Sequence, residues 1–128
     1  MKRLAISLIA CMISLGIYAQ VQNEYDPVAA ADTEAKRLTE LLKLEYWQTF
    51  YVDSTLQHDL TAMYEETKKL QKENVTSYEA YLDVQDKWVD KIEESYQKFF
   101  TDEQWNKYLK TGAEKARRQR DKRRAEKK

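Results

Sequence analysis

Glycine and proline are nearly absent from this chain, and no other feature restricts its fold as strongly. The 128 residues include two glycines and one proline. Tight turns need those residue types, whereas the interiors of helices exclude them. Good helix formers such as Lys, Glu, Gln, Ala and Leu are abundant instead. The composition therefore predicts an all-α protein, and a chain of this length forms one domain.

Residues 1–19 predict a secretory signal peptide. Lys2 and Arg3 precede an uncharged, mostly apolar run from Leu4 to Ile17, and the sequence then turns polar. That order is typical of signal peptides. The run is too short for a membrane-spanning helix, which needs roughly 20 apolar residues. We therefore expect a periplasmic or otherwise exported protein, cleaved near Ala19.

An alternative processing site lies inside the same run. Leu8 to Cys11 resembles a lipobox, in which the cysteine is lipidated and begins the mature protein. The residues after Cys11 stay apolar, so cleavage near Ala19 is the favoured reading. The mature chain would then have no cysteine, hence no disulfide and no thiol nucleophile.

The remainder predicts a polar leader, a helical domain and a charged tail. Residues 20–33 form a flexible leader, with Asp32 as the cap of the first helix. The helical domain covers residues 34–112. Apolar spacings of three and four residues predict long helices at about 45–73 and 77–99. Their short connection predicts a long antiparallel helical hairpin with flanking shorter helices.

The second long helix has an apolar seam and a defined start. Thr76 and Glu79 predict a capping box at its N-terminus. The seam follows alternating spacings of four and three residues: Tyr78, Leu82, Gln85, Val89, Ile92, Tyr96 and Phe99. We expect this face to pack against the first long helix.

A further helix is predicted to begin at Thr101. Its side chain can cap the backbone of Gln104, and the Gln104 side chain can reach back to the Thr101 backbone. Phe100 and Trp105 flank this box as a hydrophobic staple. Gly112 either ends this helix or lets it bend.

The neutral total charge conceals two opposed regions. Residues 113–128 carry nine Lys or Arg against three Asp or Glu, whereas residues 20–112 carry 11 against 19. The basic tail is either a solvated extension, a weak contact for anionic lipid, or a segment that docks on the acidic body of a dimer. Export argues against nucleic acid as its partner. The tail residues of interest are Arg117, Arg118, Arg120, Lys122, Arg123 and Arg124.

Two short segments resemble a known family. Phe100 to Gln104 has the form of the LTxxQ motif of the Spy/CpxP family of small periplasmic proteins, and Leu44 to Gln48 resembles a degenerate first copy. The resemblance implies a cradle-like all-helical fold, usually dimeric, that works without ATP or cofactor. Members act as chaperones for unfolded envelope proteins, as inhibitors of stress-sensor kinases, or as metal-responsive proteins. Glu45 replaces the motif threonine, so the helices on either side of Leu44 could be continuous.

The sequence has no arrangement that predicts catalysis. His58 is the only histidine, too few for a zinc site of three or four ligands within one chain. The serines have no glycine-rich nucleophile elbow. Paired acids such as Glu65–Glu66 and Glu93–Glu94 are adjacent on a helix, which predicts a solvated face. We expect no enzyme, no cofactor and no metal site.

Aromatic residues carry the functional hypothesis. Trp47, Phe50 and Tyr51 lie off the main apolar arc of the first long helix, and Tyr81 and Trp88 flank the seam of the second. Either a dimer partner or the last helix covers them, or they bind apolar segments of unfolded clients. The second reading predicts a stress-related, ATP-independent chaperone. The alternatives are a regulator of an envelope-stress sensor and a structural interaction protein.

Overall fold

Helices make up nearly all of the described chain. The computed structural model describes residues 25–127, so the expected signal peptide, with Cys11 and Ala19, lies outside the described residues. No strand occurs within 25–127, which confirms the all-α fold class. The elements are α1 (Pro27–Leu42), α2 (Tyr46–Lys72), α3 (Tyr78–Phe99), α4 (Asp102–Tyr108), a π-helical turn (Leu109–Ala113) and α5 (Glu114–Glu126).

The first helix begins earlier than predicted. Asp26 caps it, because its side-chain Oδ1 accepts a hydrogen bond from the Val28 N–H at 2.9 Å. Pro27 occupies the first turn, where its fixed φ suits a helix and its missing N–H costs nothing. The expected cap at Asp32 is therefore wrong, and residues 27–33 belong to a helix rather than to a flexible leader.

The chain breaks between α1 and α2. Lys43 adopts a left-handed conformation with φ of 53°, and its N–H donates to the Thr39 carbonyl. Leu44 then turns into the core. The two helices are thus separate, and the hypothesis of a continuous helix through Leu44 is wrong.

The core lies along α2, which packs against both α1 and α3. The Gln48 side chain reaches the Phe99 carbonyl, and Lys87 reaches Glu66, so α2 and α3 run in opposite directions. Full burial of a Val, Leu, Ile or Met side chain contributes about 1.5–3 kcal/mol to the stability of the fold. The buried aliphatic core residues are Ala31, Ala35, Leu38, Leu42, Leu44, Val52, Leu56, Leu60, Met63 and Ile92.

The start of α3 differs from its prediction by one residue. Ser77, rather than Thr76, is the N-cap, and its hydroxyl accepts from the Ala80 N–H. The buried face of α3 includes Ile92 and Tyr96 of the predicted seam but differs from that seam elsewhere. Tyr78, placed in the predicted seam, is exposed, whereas Tyr81 and Trp88 are buried. Large aromatic rings bury more area than the Leu and Val of the predicted seam, so the helix turns them inward.

The start of α4 has the geometry that its sequence predicts. The Thr101 hydroxyl accepts from the Gln104 N–H at 3.2 Å, and the Gln104 Oε1 accepts from the Thr101 N–H at 2.9 Å. Helical structure does not end at Gly112. Its φ of 103° is one that glycine adopts without steric cost. The chain bends there within the π-helical turn and continues as α5.

Candidate functional site: two glutamine motifs, an aromatic cluster and a charged helix interface

The two motif glutamines meet in the interior of the fold. Gln48 Nε2 donates to Gln104 Oε1 at 2.6 Å, and Gln104 Nε2 lies 3.3 Å from Gln48 Oε1. Each side chain also binds the backbone that precedes the other motif. Gln48 Nε2 donates to the Phe99 carbonyl at 2.8 Å, and Gln104 Nε2 to the Leu42 carbonyl at 3.4 Å. The two helix starts are therefore joined to each other through their side-chain amides.

Local capping chemistry places Gln48 at this junction. The Glu45 N–H donates to Gln48 Oε1 at 2.8 Å, and the Glu45 side chain completes a capping box at the start of α2. A carboxylate thus replaces the threonine of the motif without loss of the box. Gln48 is 2% exposed, so its amide is a buried polar group that requires these partners.

An exposed aromatic cluster adjoins this junction, and we define it as Trp47, Phe50, Tyr51 and Phe99. Trp47, Phe50 and Tyr51 occupy one side of the first turns of α2 and are 48%, 61% and 48% exposed. The Tyr51 ring stacks on Phe99 at 5.2 Å between centroids and contacts Phe50 edge-on at 5.6 Å. Trp47 lies 6.3 Å from Tyr51. The rings form a continuous surface that can accept an apolar ligand.

Trp47 is held in place by a polar contact. Its Nε1–H donates to Glu45 Oε2 at 2.7 Å. The indole donor is thereby satisfied at the rim, and its carbon face stays accessible. The same glutamate caps α2, so the helix start and the ring orientation depend on one side chain.

Tyr81 and Trp88 do not belong to this surface. They are 7% and 9% exposed, and both satisfy their polar atoms internally. Tyr81 donates its hydroxyl to the Val75 carbonyl at 2.6 Å, and Trp88 donates Nε1–H to Glu66 Oε1 at 3.1 Å. The prediction that they bind clients is wrong, because a ring with a satisfied polar end can be packed inside.

The basic tail is a helix that lies on an acidic stripe of α3. We define the acidic stripe as Glu79, Asp83, Asp86, Asp90 and Glu93. Arg123 binds Asp86 through two hydrogen bonds, of 2.7 and 3.0 Å. Arg120 Nε donates to Asp90 at 2.8 Å, and Arg124 also pairs with Asp90. The tail thus docks within its own chain, and the reading of a solvated extension is wrong.

The other tail cations contribute unequally. Arg117 lies 3.6 Å from Glu93 and places its guanidinium over the Trp105 ring at 5.1 Å. Arg118 pairs with Glu114 of its own helix, and Lys122 is exposed. The cations that face α3 are those spaced by three or four residues, as expected of one helix face.

Glu93 is the centre of a buried polar group that sequence reasoning missed. The Tyr108 hydroxyl donates to Glu93 Oε2 at 2.8 Å, and Arg120 Nη2 donates to Glu93 Oε1. Burial raises the pKa of the Tyr108 hydroxyl well above its ordinary value, and the charge of Glu93 raises it further. The predicted solvated face of Glu93 and Glu94 is therefore correct only for Glu94, which is exposed. The feature of the sequence that indicates a partner for Glu93 is the cluster of cations in residues 113–128.

Residues considered for metal binding or catalysis lie apart. The exposed His58 ring contacts the neighbouring Asp59 carboxylate at 2.7 Å between Nδ1 and Oδ1. Among residues 25–127, no three His, Cys, Asp or Glu side chains form a group that would hold a metal ion. The Lys87 ammonium binds Glu66, and this hydrogen bond lowers the pKa of that carboxyl.

Within the part of the chain that the structure describes, no helix is both long and apolar enough to cross a bilayer. Comparisons with protein-family models, with curated proteins and with solved structures find no match. The resemblance to the Spy/CpxP family thus stays a prediction that rests on the two glutamine motifs.

Proposed function

We propose that this protein is an exported, ATP-independent chaperone-like protein that binds exposed apolar segments of unfolded or partly folded envelope proteins. The observation that carries the proposal is the aromatic cluster, in which Trp47, Phe50 and Tyr51 stay exposed beside the buried core. The export signal predicted from the sequence and the two glutamine motifs support the same reading. A cradle-like arrangement of the helices and a homodimer belong to the proposal as well.

The size of the cluster suits weak and reversible binding. The exposed parts of Trp47, Phe50 and Tyr51 offer roughly 240–390 Å², since an aromatic side chain buries about 150–250 Å² when fully covered. A stable protein interface buries on the order of 1,000 Å² or more. Burial at about 25 cal/mol per Å² is largely offset by the entropy cost of association. Clients would therefore bind and leave without an energy source.

The test is suppression of aggregation of a denatured client, followed by light scattering at stoichiometric ratios. The informative variant is Trp47→Ser with Phe50→Ser, which removes two exposed rings and keeps the stacking of Tyr51 on Phe99. Its suppression should fall several-fold. The matched control is Val28→Ser with Tyr78→Ser, which removes two exposed apolar side chains, 49% and 61% accessible, away from the cluster.

Two outcomes would contradict the proposal. One is that the unaltered protein leaves client aggregation unchanged. The other is that the control variant loses as much suppression as the cluster variant, since the binding surface would then not be the cluster. Circular dichroism of each variant establishes that the helices are intact before the comparison is made.

A further inference from the structure

The contact between α5 and α3 is an ordered series of ion pairs. Arg117 faces Glu93, Arg120 faces Asp90, Arg123 faces Asp86 and Lys127 faces Asp83. Each step of three or four residues along α5 is matched by a step of three or four residues backwards along α3. The two helices therefore run antiparallel, and their charges are complementary over the full length of α5.

Apolar contacts contribute little to this docking. The only buried residue of α5 is Arg120, and the last residue that packs against the apolar core is Ala113, just before the helix. The 13 residues of α5 include seven cations and three carboxylates. A helix this short is marginally stable alone, and its like charges repel one another. Its helical state thus depends on the carboxylates of α3.

The ion pairs differ in exposure: in Arg117–Glu93, Arg120–Asp90 and Arg123–Asp86 one partner is at most 13% exposed, whereas the outer pairs are open to solvent on both sides. Side-chain exposure is 38% and 56% for Lys127 and Asp83, and 48% and 36% for Arg124 and Asp90. Exposed pairs are individually weak and are screened by salt. Only Arg120 and Glu93 are buried on both sides, at 5% each, and the desolvation cost of such a pair offsets much of its attraction.

The geometry points to a detachable helix: we propose that α5 is docked and helical at low ionic strength, and that salt releases it while α1 to α4 remain folded. Gly112, at φ of 103°, forms the kink between α4 and α5. Release uncovers the acidic stripe and frees the inner cations of α5. Phe99 lies on the opposite side of α3, against α2, so the aromatic cluster keeps its structure. The inference is independent of the proposed chaperone function.

Hydrogen exchange followed by mass spectrometry tests this proposal on the purified protein. At low salt, amides of residues 116–126 should be protected. In 1 M NaCl, where the screening length is about 3 Å, they should exchange close to the rate of an unfolded chain. Amides of α2 should keep their protection at both salt concentrations.

Paired variants test the role of the stripe. Asp86→Asn with Asp90→Asn should lower the low-salt protection of α5 by about tenfold, as expected for the loss of the three ion pairs that these carboxylates make with Arg120, Arg123 and Arg124. Glu65→Gln with Glu94→Gln removes the same charge at exposed positions with no ion pair among the described residues and should leave α5 protected. Asp86→Arg should release α5, and adding Arg123→Asp should restore its protection.

Three results would overturn the proposal. The first is equal protection of α5 at low and high salt. The second is parallel loss of protection in α2 and α5, because α5 would then unfold with the whole domain. The third is an equal effect of the control pair Glu65→Gln with Glu94→Gln, which would assign the docking to net charge rather than to the stripe.

Discussion

Gln48→Glu is the sharpest test of the junction between the two glutamine motifs. The substitution keeps the shape of the side chain and its ability to accept from the Glu45 N–H. It removes the amide donor that serves the Phe99 carbonyl at 2.8 Å and Gln104 Oε1 at 2.6 Å. Both acceptors would then face a carboxylate in a site that is 2% exposed.

The expected loss follows from those two acceptors. Gln104 Oε1 keeps the hydrogen bond from the Thr101 N–H, whereas the Phe99 carbonyl loses its side-chain donor. Leaving one buried polar group without its partner costs about 1–3 kcal/mol and the introduced carboxylate adds a desolvation cost, so the free energy of unfolding should fall by about 2–4 kcal/mol. For a domain of this size the midpoint of thermal unfolding should drop by roughly 10–20 °C. The loss should shrink on acidification, because protonation of the introduced carboxyl restores one O–H donor.

Urea and thermal unfolding followed by circular dichroism measure this change. Gln97→Glu is the matched control, since Gln97 is exposed on α3 and the same substitution there should alter stability by less than about 0.5 kcal/mol. If Gln48→Glu unfolds within that margin of the unaltered protein, the amide junction does not stabilise the fold and our reasoning is refuted.

Two further predictions concern buried ionisable groups. Tyr108→Phe leaves Glu93 Oε2 without the hydroxyl donor that lies 2.8 Å away, so the free energy of unfolding should fall by about 1–2 kcal/mol. Tyr78→Phe, at an exposed site, is the control and should have no effect. Equal stability of the two variants in urea would contradict the role of the Tyr108 hydroxyl. Burial raises the pKa of Glu34 above its ordinary 4.5, an effect that its hydrogen bonds from Arg37 only partly oppose. The folded state then holds this proton more tightly than the unfolded state, so stability is lost as pH rises through the raised pKa. The unaltered protein should therefore gain stability over Glu34→Gln as pH falls from 7 towards 4.5 in denaturant titrations, and a constant difference would refute this assignment.

Local signals predicted the helix starts better than the faces that helices bury. The cap at Thr101 with Gln104 depends on neighbours in the sequence, and the structure has that geometry. Asp26 followed by Pro27 is an equally local signal of a helix start, and it precedes the apolar periodicity from which the first helix is predicted. The contact between the two motif glutamines, by contrast, is not a local feature of the sequence. Gln48 of α2 and Gln104 of α4 are 56 residues apart in the sequence, so their contact depends on how α3 places the start of α4 against α2.

The faces of α3 could not be predicted because the helix has two partners. Apolar periodicity assumes a single buried face opposite a solvated one. In α3 one side packs against α2 and the other binds α5 through carboxylates, so Glu93 is buried although it is charged. Tyr81 and Trp88, which flank the predicted seam, are buried beside it, and Trp88 donates to Glu66 of α2. Only the position of α5 shows which polar residues face protein and which face water.

The docking of α5 also changes how charge can act in the proposed function. An acidic body would attract basic unfolded chains from a distance. In the folded protein, Asp86 and Asp90 are already neutralised by Arg123, Arg120 and Arg124 of the same chain. Capture of clients must then rest on the aromatic cluster rather than on the acidic stripe as long as α5 is docked. Undocking of α5 at high salt would expose the acidic stripe to solvent. Screening at that salt concentration would, however, weaken the attraction between the stripe and basic clients as well.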